Sequence, residues 1–148
     1  MILLDISVIS ELLRDTPAAQ VVEWVDAQPL ETLYLSATTV AALQAAVARL
    51  PSEERRTHMQ AGLEKRVLPL FAGRILSFDQ SCTRAYAEAI TKVEKGGSEI
   101  LSVDGYIAAI AAVNGLIVAA RETAAFEAAG VETINPWQEY SQSDNAAQ

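Results

Sequence analysis

Ile2-Leu3-Leu4-Asp5 is the stretch on which the fold turns. Three apolar residues closed by an acid read as a short strand buried on both faces, the kind found inside parallel sheets. Outward from it the same unit recurs. Leu33-Tyr34-Leu35-Ser36, Arg74-Ile75-Leu76-Ser77-Phe78, Leu116-Ile117-Val118-Ala119 and Val131-Glu132-Thr133-Ile134 are the expected second to fifth strands. The segments between them have helical character. Strands alternating with helices specify an α/β protein with a five-stranded, mostly parallel sheet and helices on both faces.

The expected helices follow from caps and breakers. One covers about Val8 to Arg14. The next starts at Thr16-Pro17, with Pro in its first turn, and takes Val21, Val22, Trp24 and Val25 as apolar positions to about Ala27. Thr38 or Thr39 caps a third, through Leu43 and Val47 to about Leu50. Pro51-Ser52-Glu53-Glu54 opens a fourth, which Pro69 ends after Val67. Asp79 is the expected N-cap of a long helix from Gln80 to about Lys95, with Gly96-Gly97 at its C-terminus. Helices from about Glu99 to Val113 and from Thr123 to Ala128 complete the set. The polar, aperiodic segment from Gln138 to Gln148 is expected to fray.

The 148 residues fit one domain, and 51% of them are apolar, enough for a core without disulfides. One cysteine, Cys82, excludes an internal disulfide, and one histidine, His58, excludes a His-rich zinc site. A metal must therefore sit mainly on carboxylates, which favour Mg²⁺ or Mn²⁺. No apolar run approaches the roughly 18 residues of a membrane helix. Met1 to Asp5 lacks the basic start of a signal peptide, so a cytoplasmic location and no membrane contact are expected. The net charge is −8, so nucleic acid is not held by bulk attraction and needs a local cation or a metal. Arg49, Arg55, Arg56, Lys65 and Arg66 form a locally basic stretch, which reads either as such a patch or as a solvated helix face.

In parallel sheets ligands bind beyond the carboxyl ends of the strands. Asp5 ends the first strand, Asp79 the third, and Glu122 follows the fourth after Ala119-Ala120-Arg121. Asp104 shares a helix face with Ile100, Ala108 and Ala111, where a lone carboxylate costs several kcal/mol unless it is partnered. Each acid also has a plain reading: Asp5 as a helix cap, Asp79 as an N-cap, Glu122 as a first-turn acid, Asp104 as an acid paired with Arg121 or another base. Convergence of Asp5, Asp104 and Glu122 on one crevice is the arrangement that metal-assisted phosphodiester hydrolysis requires.

Met1 to Asp5 with Val8-Ile9-Ser10-Glu11-Leu12, and Leu35-Ser36-Ala37-Thr38-Thr39-Val40-Ala41, resemble the opening and the second block of PIN-domain toxins of the VapC type. Asp104-Gly105-Tyr106-Ile107-Ala108-Ala109 resembles the third. Val118-Ala119-Ala120-Arg121-Glu122-Thr123 with Phe126 resembles the fourth, and Asn135-Pro136-Trp137 the ending of the FitB-like and plasmid-stability branch. The resemblance runs in order from Met1 to about Trp137. It implies a three-layer α/β/α PIN-like domain over residues 1–137 with a flexible tail at 138–148.

It further implies acids around Mg²⁺ or Mn²⁺, carried over as Asp5, Asp104 and Glu122, with Ser7, Thr39, Arg121 and Thr123 behind them. The chain departs from the family pattern at Ala42, where a Glu is usual, and at Glu122, where Asp or Asn is usual. Ile6-Ser7 replaces the usual Thr-Asn. Ala42 removes a charge and a ligand or water-positioning group. Glu122 is one methylene longer, and Ser7 is shorter than an amide. Glu11 and Glu99 lie near the motif acids in sequence, and nothing in the sequence makes either a substitute.

The implied activity is an endoribonuclease with weakened catalysis, or a pseudo-nuclease that binds without cutting. The implied partners are a second copy in a homodimer, an RNA substrate and a small antitoxin, through which alone operator DNA is reached. A phosphoacceptor receiver domain with Asp79 as acceptor is the competing α/β reading. It needs paired acids after the first strand and a Lys after the last, and the chain has neither.

Overall fold

The structure is a computed structural model and describes residues 1–138. The centre of the sheet is β1 (Ile2–Leu4), with Leu3 and Leu4 wholly buried. It pairs with β2 (Leu33–Ser36) on one side and β4 (Ile117–Ala119) on the other. β3 (Ile75–Leu76) flanks β2, and β5 (Thr133–Ile134) flanks β4, giving the order β3-β2-β1-β4-β5. Every pairing is parallel. The mostly parallel expectation thus becomes a wholly parallel sheet among the described residues.

Alternation along β1 divides the core in two, because successive side chains point to opposite faces. Ile2 and Leu4 join Val8, Ile9, Val21, Trp24, Leu35 and Leu43 on the face covered by α1 (Ile6–Leu12), α2 (Ala19–Asp26) and α3 (Ala37–Ala48). Here α4 (Glu53–Gly62) packs on α3. Leu3 joins Ile107, Ile110, Val118 and Phe126 on the face covered by α5 (Cys82–Lys95), α6 (Ser102–Asn114) and α7 (Ala124–Ala128). α5 and α6 approach closely at Gly105, where an added Cβ would lie 2.9 Å from both Ile90 Cδ1 and Tyr86 Cε2. α6 ends on Gly115 in the left-handed region, at φ 65°.

Several element boundaries differ from those read in the sequence, each for a local reason. α1 starts at Ile6 because Asp5 itself is its N-cap. The cap of α3 is Ser36, still extended at the strand end, and Thr39 supplies the N–H that it accepts at 3.0 Å. Pro17 lies ahead of α2 instead of in its first turn. Asp79 does not cap α5. It closes the preceding turn by accepting the Ser81 N–H at 3.0 Å and the Ser81 hydroxyl, and the helix begins at Cys82. α4 gives way to a π turn at Leu63–Val67 and a 3-10 turn at Leu68–Phe71 that carries Pro69. In that last turn Phe71 is buried, whereas Leu70 is 50% exposed. β3 and β5 are two residues each. No helix among the described residues is long and apolar enough to cross a membrane. Of the segment expected to fray, Gln138 donates its N–H to the Asn135 carbonyl, and 139–148 lie outside the described residues.

Candidate metal centre at the carboxyl edge of the sheet

Strand order fixes where a site forms. The chain leaves β1 toward β2 and leaves β4 toward β5, so the connections diverge between β1 and β4 and open a crevice at their carboxyl ends. Asp5 follows β1 at this point, and its N–H donates to the Ala119 carbonyl of β4 at 2.9 Å. α6 precedes β4 and runs back against the strands. Its first turn, with Asp104, therefore arrives at the same edge.

The two carboxyl groups act on each other. Asp5 is 6% exposed. Its Oδ2 accepts the Ser7 hydroxyl at 2.8 Å and the Ser7 N–H at 3.3 Å. Its Oδ1 is buried with no hydrogen-bond partner among the described residues. Such an orphan costs about 1–3 kcal/mol, more when charged, unless a cation or proton meets it. Asp104 is half-buried, and burial first, then the charge of Asp5, raises its carboxyl above the ordinary carboxylate range. Two acids in a shared, partly dry space with an unmatched oxygen fit a hard divalent cation, which takes oxygen ligands.

Among the described residues, no group of three or more His, Cys, Asp or Glu side chains is arranged to hold an ion. Of the three acids expected to converge, Asp5 and Asp104 act on each other directly. Glu122 is exposed on the loop between β4 and α7. Asp79 follows the edge strand β3, and its carboxyl lies below the ordinary range because the Ser81 hydroxyl donates to it. Glu99 is exposed ahead of α6. Glu11 is buried but engaged: it accepts Arg14 Nη1 at 3.0 Å and the Ala18 N–H at 3.2 Å, and the Arg14 bond holds it below the ordinary range.

The supporting residues divide similarly. Ser7 bridges two strand ends, because its hydroxyl also accepts the Arg121 N–H at 3.1 Å. Thr39 is buried in a hydroxyl cluster with Ser36 and Thr38 at the head of α3. Thr123 stands just before α7, and its carbonyl accepts the Glu127 N–H at 2.9 Å. Ala42 is half-buried in the second turn of α3, the helix that also packs against α6.

A role for the chain's later residues was not visible in the sequence. Asn135 donates to the Arg121 carbonyl at 3.1 Å and accepts the Trp137 N–H at 2.9 Å. Gln20 of α2 donates to the Trp137 carbonyl. The Arg121 guanidinium lies over the Trp137 ring, 5.4 Å from its centroid. In the basic stretch, Arg49, Arg55, Lys65 and Arg66 are exposed among Glu53, Glu54 and Glu64, and Arg56 donates to the Leu50 carbonyl at 2.6 Å.

Known proteins share this architecture. A family model described as the PIN domain matches residues 2–131. The chain is 53% identical over 138 residues to the plasmid stability protein StbB of Pseudomonas syringae pv. tomato, covering 93% of this chain and 99% of that protein. It is 50% identical over 138 residues to the VapC ribonuclease Y4jK of Sinorhizobium fredii, with the same coverage. The crystal structure of FitAcB from Neisseria gonorrhoeae superposes with a TM-score of 0.89 at 48% identity, over 93% of this chain and 99% of that one. The structure of FitAB bound to an IR36 DNA fragment gives 0.88 at 46% identity, over 93% and 96%.

Proposed function

The chain belongs to the PIN-domain family, and from that premise we propose that it is the toxin of a toxin–antitoxin or plasmid-stability module, a divalent-metal-dependent endoribonuclease. The observation that carries this reading is the buried, unpartnered Oδ1 of Asp5 beside the half-buried Asp104. Asp5 and Asp104 would hold Mg²⁺ or Mn²⁺, with Glu122, exposed on the β4–α7 loop, as the candidate third acid. The cation supplies Lewis acidity for phosphodiester hydrolysis.

The chain's own residues set up that chemistry. Ser7 fixes the rotamer of Asp5 by occupying Oδ2, which leaves the buried Oδ1 without a donor among the described residues. Asp104 stands in the first turn of α6, whose amino end favours negative charge. The Arg121 N–H, through Ser7, ties the Glu122 loop to Asp5.

The partners we propose are a second copy of the chain, a small DNA-binding antitoxin and RNA, with operator DNA reached only through the antitoxin. The DNA-bound FitAB structure supports the last point, and a cytoplasmic setting accords with it. A second reading, binding without cutting, is favoured by Ala42 and by the exposed position of Glu122.

The deciding experiment is cleavage of a fluorogenic RNA in Mn²⁺ or Mg²⁺, with a chelator control and Asp5→Ala. Cleavage abolished by both supports the nuclease. Cleavage that survives both sinks it, and no cleavage by the natural chain favours the binding protein.

A further inference from the structure

We propose that Arg121 is an anion-binding residue of the crevice, contacting an RNA phosphate beside the Asp5–Asp104 pair. This rests on the reading that the site acts on RNA, and goes beyond it by assigning a substrate contact. The position of Arg121 is fixed at three points. Its N–H donates to Ser7 Oγ at 3.1 Å, and that hydroxyl donates to Asp5. Its carbonyl accepts Asn135 Nδ2 at 3.1 Å. Its guanidinium is seated over Trp137, which Asn135 and Gln20 hold by its N–H and carbonyl.

A guanidinium on an aromatic face keeps its in-plane N–H donors free. Among the described residues, those donors meet no hydrogen-bond acceptor and form no ion pair. Glu11 senses the charge of Arg121, but its oxygens are engaged by Arg14 and Ala18. Arg121 is also exposed. Its main chain is one hydroxyl removed from the acid at the centre of the site, and its guanidinium, carried on the Trp137 ring at the same loop, is a fork of donors that no described residue neutralises. In a chain of net charge −8, a polyanion needs such a cation at the point of reaction. The planar fork matches the paired oxygens of a phosphodiester.

The test measures binding of a short single-stranded RNA by fluorescence anisotropy at several salt concentrations. An Asp104→Asn background keeps the RNA intact. Each phosphate contact contributes roughly 0.7 to the slope of log affinity against log salt on single strands. Arg121→Ala is expected to weaken binding and flatten the slope by about that amount. Arg121→Lys should keep the slope while losing part of the affinity, because a point charge replaces the fork. Mn²⁺ affinity, measured with Asp104 intact, should not fall in either variant, because removing a positive charge does not weaken a cation site. If Arg121→Ala fails to fold, Arg121→Gln replaces it with the same expected slope. An unchanged slope overturns the proposal, as does a loss confined to binding of an acidic peptide. If Asp104→Asn still cuts RNA, it is the nuclease assignment that fails, and the slope still decides the role of Arg121.

Discussion

Ser7→Ala removes one oxygen that serves two strand ends, and its effect can be worked out from the structure. The Ser7 hydroxyl donates to Asp5 Oδ2 at 2.8 Å, and a hydrogen bond to a charged group contributes about 1.5–3 kcal/mol. Water cannot easily replace it, because Asp5 is only 6% exposed. The remaining donor to that oxygen, the Ser7 N–H at 3.3 Å, is long and weak. On the other side, Arg121 is exposed, so its freed N–H takes water at little cost. Alanine within α1 recovers about 0.5 kcal/mol of helix propensity. The net loss is about 1–2.5 kcal/mol, or roughly 3–8 °C in Tm for a domain of this size. Thermal unfolding in chelator, followed by circular dichroism, measures it. A Mn²⁺ titration should show affinity falling about 10- to 100-fold as Asp5 loses its fixed orientation. An unchanged Tm together with an unchanged Mn²⁺ affinity would refute the assignment of Ser7 as the residue that positions Asp5.

Three further outcomes follow from the structure. Asp104 binds its proton more tightly in the fold than in the open chain, so its ionisation lowers metal-free stability as pH rises above about 3.9. Asp104→Asn should therefore raise the metal-free Tm at pH 7, with the gain vanishing in acid; no gain at pH 7 would contradict the burial of that charge beside Asp5. Ala42→Glu should raise Mn²⁺-dependent RNA cleavage by roughly 10-fold or more if a missing acid limits the rate, and an unchanged rate would show that the site does not need it. Phe126→Ala should cost about 3–5 kcal/mol in urea denaturation, because the ring is 2% exposed and anchors α7 in the core behind β4; a loss below about 1 kcal/mol would mean that the face repacks.

The architecture was legible because the strands are short apolar runs and the helices carry recognisable stops. Ile2 to Leu4 and Ile117 to Ala119 form the sheet's centre, and the acid after the first run marks the crevice. Boundaries were less legible where several capping residues crowd together. Ser36-Ala37-Thr38-Thr39 offers three hydroxyls, and only the backbone at the strand end selects Ser36. Asp104 was legible because a charge on an apolar helix face needs a reason. In the structure it couples to Asp5, and the sequence could not show that Glu122 is exposed on its loop. Nor could it show that Trp137 seats Arg121. Stacking between residues in separate loops leaves no periodic trace, and Asn135-Pro136-Trp137 was readable only as a motif.

The seat of Arg121 also imposes an order on synthesis. The ribosome makes Asp5 early, Asp104 late, and Asn135 to Trp137 later still. A nascent chain that has only reached Ile134 already contains both acids, yet the β4–α7 loop still lacks the ring and the amide that hold it. At about 5–20 residues per second, with the most recent residues still inside the exit tunnel, the crevice stays unfinished until after this segment has emerged. A chain arrested in that interval carries the acids of the site without the support that orders its loop.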